Sequence, residues 1–157
     1  MNFTESGIKV YELFKKHLDE HHIKYEAFDD KHLLKMIVHG DDLPQPTVIR
    51  IFDDREIVQI LSPLPCMMPE DKRIDAAVAV SVANYGLIIG SFDFDMNDGE
   101  IRFRVSMDFE GLEMNDTAVK NLLSPVFVIT DQYNDRFFML AKGMMTLEQF
   151  IEQETNG

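Results

Sequence analysis

Two histidines four residues apart, His17 and His21, are the best-spaced candidates in this chain for metal chemistry. On a helix that spacing puts both imidazoles on one face, where they could share a zinc ion in a metal-assisted hydrolase. A third ligand would have to come from His22, His32 or His39. No accompanying carboxylate or thiolate is identifiable, and the competing reading is a solvated helix end whose histidines suit the negative end of the helix dipole. Asp93-x-Asp95-x-Asn97 has the spacing of the first three ligands of a calcium loop, but the rest of the loop fails. Asp98 stands where the sharp-turn glycine belongs, and Arg104, a cation, stands where a bidentate glutamate is needed. Cys66, between Pro65 and Met67, has no basic neighbour in sequence to lower its pKa. The carboxylate pairs Asp29/Asp30, Asp41/Asp42, Asp53/Asp54 and Asp108/Glu110 fall mostly in turn positions, where aspartate bonds its own backbone. No glycine-rich phosphate loop is present, so no catalytic residue and no cofactor are assigned.

Binding is the better lead. Among ten methionines, Met67, Met68, Met144 and Met145 sit in connections rather than in periodic segments. Exposed, they would form an adaptable apolar surface for a protein partner; buried, they would fill gaps beneath loops. The net charge of −13 argues against nucleic acid and against anionic membranes, because phosphate neutralisation dominates that affinity. The same acidity favours a basic protein partner. One cysteine, no charged-then-apolar leader and no apolar run near the length of a membrane span lead to the expectation of a cytoplasmic protein. At 157 residues, 1–157 is expected to be one domain with a core that needs no disulfide or metal.

The elements that would carry these residues follow from periodicity. Ile8, Tyr11, Phe14 and Leu18, with Val10 and Leu13, predict a helix from about Ser6 to His21, capped by Thr4 or Ser6. Tyr25 to Phe28 and His32 to His39 read as strands around an Asp29-Asp30-Lys31 turn. Gly40, Asp41, Asp42, Pro44 and Pro46 predict a loop. Thr47 to Phe52 and Glu56 to Leu61 predict a hairpin pairing Phe52 with Ile57, Ile51 with Val58, Arg50 with Gln59 and Ile49 with Ile60. The three prolines between Ser62 and Pro69 predict an irregular connection. A helix then runs to about Tyr85, expected to bury Ile74, Ala77, Val78, Val82 and Tyr85. A second hairpin around Asp98-Gly99 is expected to set Asp95 against Arg102, Asp93 against Arg104, Phe94 against Phe103 and Phe92 against Val105. Asn115 or Asp116 caps a long helix whose buried stripe is Val119, Leu123, Val126, Thr130, Tyr133, Phe137 and Leu140, with a kink or break at Pro125. A short helix opening at Thr146 closes the chain.

This order predicts an α+β fold, α-β(3 to 4)-α-β-β-α, with a single antiparallel sheet packed by helices on one face. From about Pro69 to Leu147 the chain resembles the YbjN-type bacterial family of sensory-transduction regulators. The resemblance lies in GSFDFDMNDGEIRFRVSM and in the capped helix carrying LLSPVFVITDQYNDRFFMLAKG. It implies a fold like that of the type III secretion chaperones, small acidic proteins that dimerise and bind extended partner segments. It carries no catalytic residues. The expected function is therefore that of a non-enzymatic regulator or chaperone-like adaptor binding a protein partner, with a homodimer possible. The alternatives are a dedicated type III secretion-type chaperone and the metal-assisted hydrolase of His17 and His21.

Overall fold

The computed structural model describes residues 2–41 and 43–157; Asp42, part of the predicted loop, lies outside them. Helix α1 (Glu5–Glu20) leads into strands β1 (Tyr25–Phe28), β2 (Leu33–His39), β3 (Pro44–Phe52) and β4 (Ile57–Met67). Helix α2 (Arg73–Tyr85) precedes β5 (Ser91–Phe94) and β6 (Glu100–Asp108), and helices α3 (Asp116–Ala141) and α4 (Leu147–Asn156) follow. All pairings in the six-stranded sheet, ordered β1-β2-β3-β4-β6-β5, are antiparallel. The expected α+β architecture is therefore the observed one.

Alternation sets the two faces of the sheet. Leu34, Met36, Ile49, Ile51, Val58, Ile60, Phe103 and Val105 point inward and are buried with Val10, Phe14 and Leu18 of α1 and the predicted stripe of α3. All seven predicted stripe positions of α3 are buried, and Pro125 lies inside one continuous helix rather than between two. The β3–β4 hairpin has the predicted register. Thr4 caps α1 by accepting the Gly7 N–H, and Thr146 with Gln149 closes a capping box on α4.

Three expectations fail, each for a physical reason. The proline segments are strands. Pro44 and Pro46 pair with β2 alone, and Pro63 pairs with β6 alone, because the β3–β4 ladder stops at Val48 and Leu61. A missing N–H is tolerated where a strand has a neighbour on one side only. Beyond that point the Ser62 hydroxyl donates to the Pro46 carbonyl, a side-chain link in place of the ladder. The second hairpin is shifted by two residues: Asp93 faces Arg102, Phe92 faces Phe103 and Phe94 faces Ile101. Its turn is longer than two residues, closed by Gly99 N–H to Asp95 O and Asp95 N–H to Glu100 O. Gly99 is required there, since its φ is +85° and a Cβ would meet the Met68 carbonyl oxygen at 2.2 Å.

The third failure concerns α2. Its buried residues are Ala76, Ala79, Val80 and Ala83, whereas Ile74 is 69% exposed and Tyr85 96% exposed. Small residues let the helix lie close to the protein body, and the Asn84 amide reaches β5, donating to Phe92 O and accepting from Phe92 N–H. That pair of bonds occupies the free edge of β5 much as another strand would.

Candidate functional site

The predicted site residues are scattered. His17 and His21 stack on one another, ring centroids 4.2 Å apart, and His21 Nδ1 lies 2.9 Å from the His17 carbonyl oxygen. Burial pushes the His17 imidazole below its ordinary pKa, with the neighbouring His21 acting in the same direction. Among the described residues no group of three His, Cys, Asp or Glu side chains is placed to hold a metal ion. His32 is instead buried elsewhere, its Nδ1 2.9 Å from Asp53 Oδ2 and its ring stacked between Phe3 and Tyr11.

Cys66 is half-buried, and burial raises its thiol pKa, opposite to what a nucleophile needs. Asp93 is held by cations. Its Oδ2 accepts from Arg104 Nε at 2.8 Å and Arg102 Nε at 3.2 Å, and Oδ1 accepts from Arg104 Nη2 at 3.0 Å. Its partial burial works to raise the pKa, but the bonds from Arg104 and Arg102 outweigh it and hold the carboxyl below its usual range. Asp95 Oδ1 accepts the Asn97 N–H, so this carboxylate organises the turn. Of the methionines, Met68 and Met145 are core residues, while Met67 and Met144 are exposed.

The sequence repeats a turn that was not recognisable as a unit without coordinates. Phe28-Asp29-Asp30-Lys31-His32 and Phe52-Asp53-Asp54-Arg55-Glu56 each form a 3-10 turn followed by a left-handed residue, His32 at φ +44° and Glu56 at φ +50°. Helix α1 is tied to both turns. Tyr11 OH donates to Asp29 Oδ1, the Thr4 N–H donates to Asp53 Oδ1, and Ser6 bonds Glu56. These contacts explain the conformations without a ligand. An open cleft of about 870 Å³ lies beside them, lined by Phe3, Leu33, Arg50, Phe52, Asp54 and Arg55.

The most exposed apolar surface lies on α2 and the loop after it. Ile74, Val78 and Tyr85 share one helix face, and Ile88, 98% exposed, with Ile89 extends it. From Ala76 to Ser91 there is no charged residue, in a chain where 27% of residues are charged. The signal in the sequence was the apolar content itself; what misled was assigning the larger side chains to the core.

Comparison with known proteins gives likenesses of fold and one family. The chain covers 99% of a chain from the HopA1–SchA chaperone–effector complex with 85% of its own length, at TM-score 0.61 and 13% identity. With YbjN from E. coli the TM-score is 0.59 and the identity 11%, over 80% of this chain and 92% of the other. With a chain of the ExsC–ExsE complex they are 0.53 and 10%, over 82% and 93%. No curated protein sequence matches. At identities this low, the TM-scores show a shared fold alone, one common to these three chains. The family model described as "Putative bacterial sensory transduction regulator" matches residues 11–139, and the chain belongs to that YbjN family.

Proposed function

We propose that this protein is a non-enzymatic, chaperone-like adaptor that pairs with a second copy of itself and binds a segment of a partner protein. The observation that carries this reading is the inversion of α2, which buries alanines and leaves Ile74, Val78 and Tyr85 in solvent. Each fully covered side chain of that size contributes about 1.5–3 kcal/mol, so a contiguous exposed set marks an interface. A second copy fits best. Two bodies of charge −13 repel wherever they meet through charged surface, and the stretch from Ala76 to Ser91 carries no charge of its own, with Glu154 of α4 the acid beside Tyr85. Exposed Met67 and Met144 supply further adaptable apolar contact for a partner.

A dedicated secretion chaperone is the second reading, supported by the likeness to a chain of the HopA1–SchA chaperone–effector complex. Light scattering across a concentration series tests the pairing, with a dimer expected for the wild type and a monomer for Tyr85→Asp/Ile88→Asp. Affinity capture from the native cell tests partner binding. A wild type that stays monomeric and recovers no partner reproducibly would refute the proposal, whereas recovery of a co-encoded secreted protein would select the second reading.

A further inference from the structure

We infer that the outward face of the sheet, across β2, β3, β4 and β6, docks an acidic and apolar segment of a partner protein; the inference deepens the adaptor reading and rests on it. The register makes the layout explicit. Leu33 sits opposite Arg50, Lys35 opposite Val48 and Ile37 opposite Pro46, while Val48 in turn faces Leu61 and Phe52 faces Ile57. Leu61 faces Arg104, and Pro63 faces Arg102. None of these outward side chains is buried, in contrast to the inward set, and Ile37 is among the exposed large hydrophobics. The result is an apolar floor of Leu33, Ile37, Val48, Phe52, Ile57 and Leu61.

The charges around that floor run against those of the whole protein. Lys35, Arg50, Arg102 and Arg104 stand on it, in a chain with 28 acidic and 15 basic residues. The carboxylates of this face lie at its margins. Glu26 is on outermost β1 opposite Lys35, and Asp93 is on outermost β5 against Arg102 and Arg104. Glu100 beside Arg102 and Asp108 opposite Ile57 stand at the two ends of β6, and Asp30 and Asp54 line the cleft at the turns. Strands β2, β3 and β4 thus present Lys35 and Arg50 outward with no acid among the residues between Leu33 and Ile37, Pro46 and Phe52, or Ile57 and Pro63 that share their face. Both cations lie over rings, and among the described residues neither bonds a carboxylate. Arg50 lies 4.5 Å from the Phe52 ring centroid and Lys35 lies 5.1 Å from that of Phe28. An amphipathic segment with apolar side chains on one face and carboxylates along its edge would cover the floor and meet both charges. A basic segment would be drawn to the acidic remainder of the surface and repelled here.

The test uses two labelled amphipathic peptides of about 20 residues, long enough to hold helical structure. One carries leucine and glutamate, the other leucine and lysine, and binding to the full chain is read by fluorescence anisotropy at low and at moderate salt. The glutamate peptide should bind the wild type, more tightly at low salt, and Lys35→Glu/Arg50→Glu should weaken it about tenfold or more. Both positions are exposed, and an unchanged circular-dichroism melting curve verifies the fold of the variant. The lysine peptide should bind the variant at least as tightly as the wild type. Failure of the glutamate peptide to bind, or an affinity unmoved by the charge reversal, overturns the inference. A variant that loses dimerisation would also overturn it, by making a second copy the occupant. The adaptor reading is judged separately, since Tyr85→Asp/Ile88→Asp removes pairing through α2 and should leave the glutamate peptide bound.

Discussion

Replacing Asp93 by asparagine keeps the side-chain shape and removes the charge that Arg102 and Arg104 share. The structure gives three N–H to oxygen bonds at 2.8, 3.0 and 3.2 Å, on side chains 28% exposed for Asp93 and 39% for each arginine. A buried charge-assisted bond contributes about 1.5–3 kcal/mol and an exposed ion pair about 0–1 kcal/mol. A bidentate, half-exposed clamp discounted for solvent screening should therefore lie near 1–2 kcal/mol, about the loss expected at pH 7 for Asp93→Asn. The pH dependence follows from the direction of the shift. The folded carboxyl is held below its usual pKa, so its contribution is complete above the unfolded value of about 3.9 and disappears as pH falls through the folded one. Urea unfolding of wild type and variant from pH 7 to pH 2 should show the difference collapsing towards zero at the acid end. A difference undiminished at pH 2 would refute the ion clamp. So would an equal loss from Asp95→Asn, because Asp95 takes a backbone N–H that asparagine can also accept.

Removing the α2 surface with Tyr85→Asp/Ile88→Asp should weaken self-association on the order of a hundredfold or more, since each side chain counts twice in a two-fold contact. The melting temperature of the wild type should rise with concentration and that of the variant should not. Asn134 is fully buried in α3, with both amide atoms lacking a protein partner, one turn from a similarly unpartnered Thr130 hydroxyl. Asn134→Leu should therefore raise the unfolding free energy by about 1 kcal/mol in denaturant titration, and a loss instead would mean that the amide is satisfied. His17 has a folded pKa below its unfolded one, through burial and His21. The unfolded state takes up that proton first, so stability should fall as pH drops below about 6.5, and His17→Gln should flatten the profile between pH 7 and pH 5.

Local periodicity was a sound guide wherever one neighbour decides the environment. Helix α3 packs a single stripe against the sheet, and the 3-4 spacing of Val119 to Leu140 names it directly. The β3–β4 hairpin has only one register that matches both faces and its turn. The β5–β6 hairpin has two, because a shift of two residues preserves which side chains point inward and still sets aspartate against arginine. Turn geometry chose between them, through the Asp95 to Glu100 and Gly99 to Asp95 bonds. The proline strands were hidden for a related reason. A proline is excluded only where a paired strand lies on the side its N–H would face, and where the ladders end is a tertiary fact. The basic sheet face was illegible in composition, since its cations come from three strands and meet only once three registers are fixed.

The inverted face of α2 bears on how the two proposed surfaces relate. Alanine at the protein body and isoleucine, valine and tyrosine in water is the reverse of what transfer free energy favours for an isolated molecule. Close approach is the structural gain, because Ala76, Ala79 and Ala83 let the helix lie close enough for Asn84 to seal the β5 edge. With that edge occupied, β1 is the edge left for an added strand, and it adjoins the outward face through Phe28 opposite Leu33 and Glu26 opposite Lys35. The proposed pairing of two copies through α2 would lie beside β5, whereas Lys35 and Arg50 stand on strands towards the opposite side of the sheet. The two events use different residues and share no charge pair, so their free energies should add. A dimer would then present two basic, apolar faces at once, and a partner with two acidic segments would gain from the effective concentration that the pairing creates.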